Sequence, residues 1–150
     1  MSKAHLTAIS RTAMSTPVKY LVEHGLLRGD VLDYGCGKGV DARLLVKMGY
    51  PYRVEGYDPY YFPKMPTGKF HTIYNIYVLN VIDDTQEIIA TVRQMQSMVA
   101  RGGTLFIAVR RDLANLKGWT SKGTYQGFVE LDLPVEYESR GKYILYRWDN

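Results

Sequence analysis

The sequence has 150 residues, a length typical of one domain that can bury a sizeable hydrophobic core. Hydrophobic residues make up 46% of the chain and charged residues 23%, which is ordinary for a water-soluble globular protein. No apolar run approaches the roughly 18 residues that a membrane-spanning helix needs, so we expect no membrane partner. The net charge of +4 is mildly basic, which leaves nucleic acid open as a partner without establishing one.

Cysteine and histidine are sparse in this chain. The single cysteine, Cys36, excludes a disulfide within the chain, and the 3 histidines are scattered, so the sequence predicts no metal site. The first residues lack the long apolar core of a secretory signal, so we expect a cytoplasmic protein. We expect a single domain over residues 1–150, with residues 1–14 as a candidate N-terminal arm. If this arm folds back, His5 would close over the ligand site that residues 31–40 predict.

The first predicted helix begins at Ser15, Thr16 and Pro17, which offer a hydroxyl cap followed by a proline in the first turn. The helix is predicted to end at Gly25, because glycine commonly follows the last helical turn. Residues 28–30 (RGD) then turn the chain into the first predicted strand.

The rest of the chain is organised around residues 31–40, VLDYGCGKGV. Two apolar residues end a predicted buried strand, and an acid, Asp33, follows them directly. Three glycines then occupy alternate positions: Gly35, Gly37 and Gly39. The next residues place apolar side chains on one helical face, so the order is strand, glycine turn, helix. Glycines let the backbone approach a ligand closely, and the start of the helix offers free N–H groups.

Two kinds of ligand use such a turn. Dinucleotide-binding enzymes use the spacing GxGxxG and place a pyrophosphate at the helix N-terminus. The spacing here is DxGxGxG, which resembles motif I of class I S-adenosylmethionine (SAM) methyltransferases. That resemblance implies that Asp33, Gly35, Cys36, Gly37 and Gly39 contact the cofactor, with the acid facing its amino group. A tight strand–helix turn without a ligand is the alternative interpretation.

A second strand is predicted at residues 53–58 (RVEGYD) and ends at Asp58. Asp58 follows Gly39 at about the distance that separates a glycine turn from the ribose-binding acid in nucleotide-binding folds. We therefore predict that Asp58 and the neighbouring Pro59 belong to the cofactor site. The alternative is that Asp58 only caps a turn before Pro59.

Residues 59–69 (PYYFPKMPTGK) are rich in proline and aromatic side chains. A usual class I methyltransferase places a helix and a third strand at this point of the chain, and so short a segment leaves little room for both. We therefore predict that the third strand is reduced or missing. The adenine would then rest on this loop, with Tyr60, Tyr61 or Phe62 beside it.

The next inner strand is predicted at residues 72–74, and the chain is expected to leave it through Asn75, Ile76 and Tyr77. Open α/β sheets bind ligands beyond the carboxyl ends of their strands, so we predict Asn75 and Tyr77 where a methyl acceptor meets the donor. Asn80 is a further catalytic candidate, with a helix or turn cap as the equally weighted alternative. Asn75 and Ile76 are also predicted to contact the cofactor.

A capping box at residues 84–87 begins a predicted helix with one apolar stripe, and residues 101–103 (RGG) are expected to end it. A buried strand is predicted at residues 104–109. The two arginines of residues 110–112 (RRD) can meet a phosphate or an acidic substrate, and a local ion pair at the strand end is the alternative.

The last third of the chain predicts a loop and two strands. Residues 113–123 are polar and poorly periodic, which indicates a loop over the site. Residues 124–131 and 142–148 are predicted to form strands of an antiparallel finish to the sheet, with a hairpin turn at Arg140 and Gly141.

A closer resemblance rests on strings that occur in one order, namely TAISR (7–11), EHGLL (23–27), VLDYGCGKGVD (31–41), GYDP (56–59), YVLNVID (77–83) and TSKGTYQGF (120–128). The chain thereby resembles the methyltransferases associated with DNA phosphorothioation. The resemblance implies a SAM-binding Rossmann-like sheet that transfers a methyl group, with nucleic acid as a candidate acceptor. It carries Asp58 over as the ribose acid and places Asn75, Tyr77 and Asn80 in the segment that meets the acceptor.

The expected fold class is therefore α/β, a Rossmann-like three-layer sandwich with a mostly parallel sheet and an antiparallel C-terminal hairpin. The expected function is SAM-dependent methyl transfer to an unidentified acceptor, with SAM as cofactor. The alternative is a SAM-binding protein without transfer activity, which serves as a sensor, a sequestering agent or a partner subunit. A nicotinamide oxidoreductase is a third interpretation, against which the DxGxGxG spacing argues. The sequence makes no prediction of the oligomeric state.

Overall fold

A computed structural model describes residue 5 and residues 12–150. The helices and strands, in chain order, are α1 (Thr16–Glu23), β1 (Val31–Tyr34), α2 (Val40–Lys47), β2 (Val54–Tyr57), β3 (Phe70–Ile76), α3 (Thr85–Met98), β4 (Val99–Arg110), β5 (Gly118–Trp119), β6 (Tyr125–Gln126), β7 (Val135–Ser139) and β8 (Tyr143–Asp149). Short 3-10 helices lie at Leu79–Val81 and Leu113–Asn115. Most of the predicted arm at residues 1–14 lies outside the described residues, as does the string at residues 7–11.

The main sheet has the strand order β2-β1-β3-β4-β8-β7. Strands β2, β1, β3 and β4 run parallel, whereas β8 lies antiparallel to β4 and β7 lies antiparallel to β8. This arrangement confirms the predicted α/β class, the mostly parallel sheet and the antiparallel C-terminal hairpin. Strands β5 and β6 pair with each other as a separate two-stranded hairpin.

Strand β2 forms one edge of the main sheet, because the chain passes from it to the far side of β1 without adding another strand. In the fully described segment at residues 59–69, Phe62 makes an isolated antiparallel bridge to Asp58. The same segment contains three prolines, whose ring nitrogens cannot donate to a strand ladder. The prediction that the expected third strand is missing is therefore confirmed.

Apolar layers cover both faces of the sheet. On one face, α1 and α2 contribute the buried side chains of Leu21 and Leu45 to a cluster with β1, β3 and β4. On the other face, Met95 and Met98 of α3 pack in a second cluster. Strand β1 is buried along its whole length, as expected of a parallel strand covered on both sides. These layers form the predicted three-layer sandwich.

The start of α1 is tied to the start of α2. Ser15 is the N-cap residue of α1, but its side chain makes no capping hydrogen bond, so that prediction is wrong. Instead, the backbone N–H and the hydroxyl of Ser15 donate to the Asp41 carboxylate at 2.8 and 2.7 Å. Asp41 lies in the first turn of α2 and is 3% exposed. A buried carboxylate is a stronger acceptor than water is for this hydroxyl, so the contact joins the two helices behind the glycine turn.

Replacing Ser15 by alanine should lower the free energy of unfolding by about 1–3 kcal/mol, because the buried carboxylate loses a donor. Urea unfolding followed by circular dichroism measures the effect. Ser97 is the matched control, since its exposed hydroxyl donates to the Gln94 carbonyl within its own helix. Ser97→Ala should change stability by less than about 0.5 kcal/mol, and an equal loss in both variants would contradict the proposed link.

The C-terminal region differs from its prediction at residues 124–131. These residues do not form a strand of the main sheet, since β6 is limited to Tyr125–Gln126 and pairs with β5. The partner of β8 is β7, across the predicted turn at Arg140 and Gly141. The physical reason is a tertiary contact: the Gly127 N–H donates to the Asn80 carbonyl at 2.7 Å, which directs this backbone to the 3-10 helix after β3.

Two further segments also differ from their predicted bounds. Helix α3 ends at Met98, earlier than residues 101–103, and β4 begins immediately at Val99 with an irregular register before Thr104. The predicted loop at residues 113–123 contains a 3-10 helix and β5, which brings part of it into the small hairpin.

Candidate active site

The glycine turn joins β1 to α2 at the carboxyl end of the parallel strands. Gly35, Gly37 and Gly39 adopt positive φ angles of 86°, 54° and 79°, which are costly for residues with a Cβ. Gly35 also has no space for a side chain. A Cβ there would lie 2.4 Å from Val78 Cγ2 and 3.4 Å from Asn75 Nδ2. The turn therefore packs directly against the segment that follows β3.

Asp33 lies within β1, opposite Tyr74 of β3, and is 3% exposed. Burial raises the pKa of the Tyr74 hydroxyl well above its usual range, and the carboxylates of Asp33 and Asp41 raise it further. Tyr74 consequently keeps its proton. Asp33 is thus a buried carboxyl group at the base of the glycine turn.

Cys36 fixes the turn against β2. Its side chain is buried, and a Cβ on Gly56 would lie 2.8 Å from the Cys36 sulfur. Burial raises the pKa of the Cys36 thiol, and the negative charges of Asp33 and Asp58 add to the shift. Cys36 therefore stays protonated, which makes it a packing residue and a poor nucleophile.

Asp58 follows β2, and its carboxylate points back to the glycine turn. One oxygen accepts from the Gly37 N–H at 3.1 Å, and the other accepts from the N–H groups of Tyr60 and Tyr61 at 2.9 and 3.0 Å. Pro59 begins the turn that these bonds close. The turn-capping interpretation is thus observed, and the same carboxylate also contacts the glycine turn. Contact between Asp58 and a ribose stays a prediction.

The loop after Asp58 places aromatic side chains near the turn. A Cβ on Gly39 would lie 3.2 Å from Phe62 Cε2, so this ring borders the glycine turn. Tyr60 stacks on His5 with ring centroids 3.8 Å apart, and the Tyr61 hydroxyl donates to the His5 carbonyl at 3.4 Å. His5 therefore lies against this loop, close to the predicted position of the adenine.

Asn75 and Ile76 lie inside β3, where they pair with Ile107 and Ala108, so the prediction that the chain leaves the strand at Asn75 is wrong. Asn75 is fully buried, and its Nδ2 donates to the carbonyl of Tyr34, the last residue of β1, at 2.7 Å. Its Oδ1 is buried without a hydrogen-bond partner among the described residues. Asn75 thus holds the strand end from which the glycine turn starts.

Tyr77 leaves β3 with a φ of 60°, in the left-handed region that tyrosine rarely adopts. Its N–H donates to the Ala108 carbonyl at 2.9 Å, which holds this bend. Backbone strain of this kind costs about 1–3 kcal/mol and concentrates at functional sites. Three residues later, Asn80 is fully buried, and its Nδ2 donates to Gln126 Oε1 at 2.8 Å.

A cavity of about 370 Å³ opens beside this segment, and its lining includes Tyr77, Asn80, Arg110, Asp112, Gln126 and Lys142. The segment at residues 77–80 borders both the cavity and the glycine turn. Tyr77 and Asn80 line the cavity, whereas Val78 between them packs against Gly35. A donor on the turn and an acceptor in the cavity would therefore both contact one short segment.

Arg110 and Asp112, at the end of β4, form a two-point ion pair. Arg110 Nε donates to Asp112 Oδ1 at 2.8 Å, its Nη2 pairs with Oδ2, and Asn115 Nδ2 donates to Oδ2 at 3.0 Å. The Arg110 guanidinium lowers the pKa of Asp112, so this carboxyl is ionised. Arg111 lies over the Phe128 ring, with its guanidinium carbon 4.4 Å from the ring centroid. The local ion pair is thus the observed arrangement of residues 110–112.

Sequence reasoning missed Gln126 and Lys142 as site residues. Gln126 contacts Asn80 across 46 positions of the chain, and Lys142 lies at the turn between β7 and β8. Neither belongs to a motif with a characteristic spacing. The polar composition of residues 113–123 predicted a loop over the site, but neither Gln126 nor Lys142 lies in that range.

Other kinds of site find little support in the described part of the chain. Across residues 12–150 and residue 5, no three His, Cys, Asp or Glu side chains are grouped as metal ligands would be. The described helices are all too short or too polar to cross a bilayer.

A protein family described as a methyltransferase domain matches residues 7–142 of the sequence. The chain belongs to this methyltransferase family. No curated protein matches the sequence of this methyltransferase. The family match confirms the predicted methyltransferase, whereas the subfamily associated with DNA phosphorothioation stays a prediction.

Solved structures with a similar fold include a SAM-dependent methyltransferase from Clostridium acetobutylicum ATCC 824, with 13% identity, a TM-score of 0.54 and 87% of each chain covered. The N-methyltransferase NodS from Bradyrhizobium japonicum WM9, solved with S-adenosyl-L-homocysteine (SAH), has 15% identity and a TM-score of 0.56, with 90% of this chain and 84% of NodS covered. Magnesium protoporphyrin IX methyltransferase from Synechocystis PCC 6803, also with SAH, has 20% identity and a TM-score of 0.55, with 89% and 80% covered. At these identities the likeness concerns the fold.

Proposed function

We propose that this methyltransferase uses SAM as its cofactor and transfers a methyl group to an acceptor in the cavity beside residues 77–80. The observation that carries the proposal is the placement of Val78. This residue packs on the glycine turn, while its neighbour Tyr77 lines the cavity. SAM is supported by the family match and by structural neighbours that were solved with SAH, the product of its methyl transfer.

The residues of the turn fit SAM. Gly35 lets the backbone of the turn pack closely against Val78 and Asn75, and the buried Asn75 Oδ1 beside it has no partner within the described ranges, so a donor on the ligand could satisfy it. Asp33 would face the amino group, and Asp58 would accept hydrogen bonds from the ribose hydroxyls. The remaining predicted contacts are Cys36, Gly37, Gly39, Pro59 and Ile76.

When bound, SAM would supply a methyl group on a sulfonium that already carries its leaving group. The task of the chain is then to position the acceptor, whose reacting atom must approach to about 3–3.5 Å in line with the bond that breaks. Tyr77 and Asn80 are the proposed positioning groups in the cavity, and the strained bend at Tyr77 holds both at the end of β3. Asn75 acts from inside the strand by fixing the end of β1.

Calorimetry with SAM and SAH, followed by transfer assays with methyl-labelled SAM and varied acceptors, tests the proposal. We expect both nucleosides to bind, NADH to leave no binding signal, and label to appear in at least one acceptor. Binding of NADH with no binding of SAM would support the oxidoreductase interpretation and overturn the proposal.

A SAM-binding protein without transfer activity is the second candidate, and the ion pair in the cavity favours it. Asp112 is the carboxylate of the lining, and its bonds to Arg110 and Asn115 hinder it from taking a proton from an acceptor. Tight binding of SAM without label transfer to any acceptor would support a sensor, a sequestering agent or a partner subunit.

The proposed acceptor class, domain organisation and cellular location rest on the sequence. The resemblance to the methyltransferases associated with DNA phosphorothioation supports nucleic acid as the first class of acceptor to assay. We also propose that residues 1–150 form a single domain and that the protein works in the cytoplasm. Label recovered in oligonucleotides would support nucleic acid as the methyl acceptor, and label confined to small molecules would contradict it.

A further inference from the structure

We propose that the methyl acceptor is an anionic molecule that carries an N–H donor, with its anion at Lys142 and its donor at Asn80 Oδ1. The inference rests on the proposed function and deepens it by naming the chemical class of the acceptor. Both residues belong to the lining of the cavity beside residues 77–80.

The charges of the lining favour an anion. Three of its side chains are charged, namely Arg110, Asp112 and Lys142. Both oxygens of Asp112 are already occupied, by Arg110 and by Asn115, so this carboxylate has little capacity left for a cationic ligand. The Lys142 ammonium, in contrast, has no ion-pair partner among the residues that the structure describes. The uncompensated charge of the cavity is therefore positive.

The position of Lys142 is well defined although its side chain is exposed. Its N–H donates to the Ser139 carbonyl at 2.9 Å, and its carbonyl accepts from the Arg111 N–H at 2.8 Å. These bonds tie the hairpin of β7 and β8 to the end of β4, so the ammonium rises from a fixed point at the rim. An anion bound there would leave the rest of the molecule inside the cavity.

The second observation is the amide of Asn80. The residue is 0% exposed, and its Nδ2 is occupied by Gln126 Oε1. Its Oδ1 has no hydrogen-bond partner in the described chain. A buried carbonyl oxygen without a partner is costly, and an N–H or O–H group of a ligand would satisfy it. In the observed orientation of the two amides, the unpartnered atom of Asn80 is the carbonyl oxygen, an acceptor, which would select a donor on the ligand.

The size and place of the cavity suit an acceptor of this kind. A volume of about 370 Å³ lies near the lower end of the range for small-molecule sites. Asn80 lies two residues from Val78, which packs on Gly35 of the turn. An N–H group held at Asn80 would therefore contact the segment that borders the turn, while the anion stays at Lys142.

Binding of matched small probes to SAH-saturated protein tests the proposal. The carboxylate pair is para-aminobenzoate and para-aminobenzamide, and the phosphate pair is cytidine monophosphate and cytidine. The two pairs distinguish the two sources of negative charge. In at least one pair, the anionic member should bind about three- to fivefold more tightly, as expected of one partly exposed ion pair. Benzoate, which lacks the N–H donor, should bind more weakly than para-aminobenzoate.

Two variants assign the contacts. Lys142→Gln should remove the preference for the anionic member, whereas Lys117→Gln, an exposed lysine outside the lining, should preserve it. Asn80→Leu should make para-aminobenzoate bind no better than benzoate. Thermal unfolding checks that this core variant folds, and the Lys142 variant tests the proposal independently because its side chain is exposed.

The outcomes are separable from those of the proposed function. Calorimetry with SAM reports on the glycine turn, and probe binding reports on the cavity. Equal affinity for charged and neutral members in both pairs, or binding of none of the probes, would overturn the inference while leaving SAM binding intact. A preference for the anion that persists in Lys142→Gln would overturn the assignment of the anion to this residue.

Discussion

Replacing Gly35 by alanine should lower the affinity for SAM by at least tenfold, which we expect to be the largest effect of any single substitution in the site. The new Cβ would lie 2.4 Å from Val78 Cγ2, and the backbone φ of 86° already disfavours alanine. In response, the turn must shift away from the segment at residues 77–80, which distorts the proposed cofactor site. Calorimetry with SAM and SAH measures the effect.

Gly25→Ala is the matched control for this substitution. Gly25 has a similar positive φ of 64° but nothing within 4 Å of a built Cβ, at the end of α1. This variant should lose about 1–2 kcal/mol of stability from backbone strain and keep its affinity for SAM. The double variant Gly35→Ala with Val78→Ala should regain part of the lost affinity, because it removes the clash. Normal SAM binding by Gly35→Ala would refute the site at the glycine turn.

Replacing Asp58 by alanine should weaken SAM binding by about 1–3 kcal/mol, because the ribose hydroxyls lose their charged acceptor. The substitution also leaves the N–H groups of Gly37, Tyr60 and Tyr61 without their observed acceptor. A loss of affinity therefore has two sources, namely the missing ribose contact and a loosened turn.

An SAH analogue without the ribose hydroxyls separates these two sources. The wild-type protein should bind SAH more tightly than the analogue, and Asp58→Ala should bind both equally if the carboxylate holds the ribose. Asp84→Ala serves as the control, since Asp84 also caps a backbone N–H, at the exposed start of α3. A preference for SAH that survives in Asp58→Ala would place the ribose elsewhere and leave Asp58 as a turn cap.

Parts of the fold were predictable because their signals are local. The glycine turn requires positive φ at three alternating positions, and no other residue type adopts these angles without cost. The missing strand follows from three prolines in a segment too short for a helix and a strand. Strand β8 has a continuous apolar core that identifies it in isolation. In each case the physical cause acts within a few residues of the chain.

The predictions that were wrong concern competition between local and distant partners. Serine is a common N-cap residue, but the buried Asp41 carboxylate offers the Ser15 hydroxyl a stronger hydrogen bond. Residues 124–131 were predicted as a strand, but the Gly127 N–H bonds to the Asn80 carbonyl instead of to the main sheet. Asn75 was expected beyond its strand and lies inside it, because β4 supplies ladder partners as far as Ala108.

The sequence by itself determined the α/β class, the turn between β1 and α2 and the methyltransferase family, since each depends on short-range backbone and burial preferences. Only the tertiary structure decided the cavity in which we propose that the acceptor binds. The cavity is assembled from the ends of β3 and β4, the β5–β6 hairpin and the turn before β8, whose side chains meet through long-range packing. Arg110 neutralises Asp112 in that cavity, and the buried Asn80 Oδ1 still lacks a donor among the described residues. Both facts depend on tertiary contacts, which no local sequence pattern encodes.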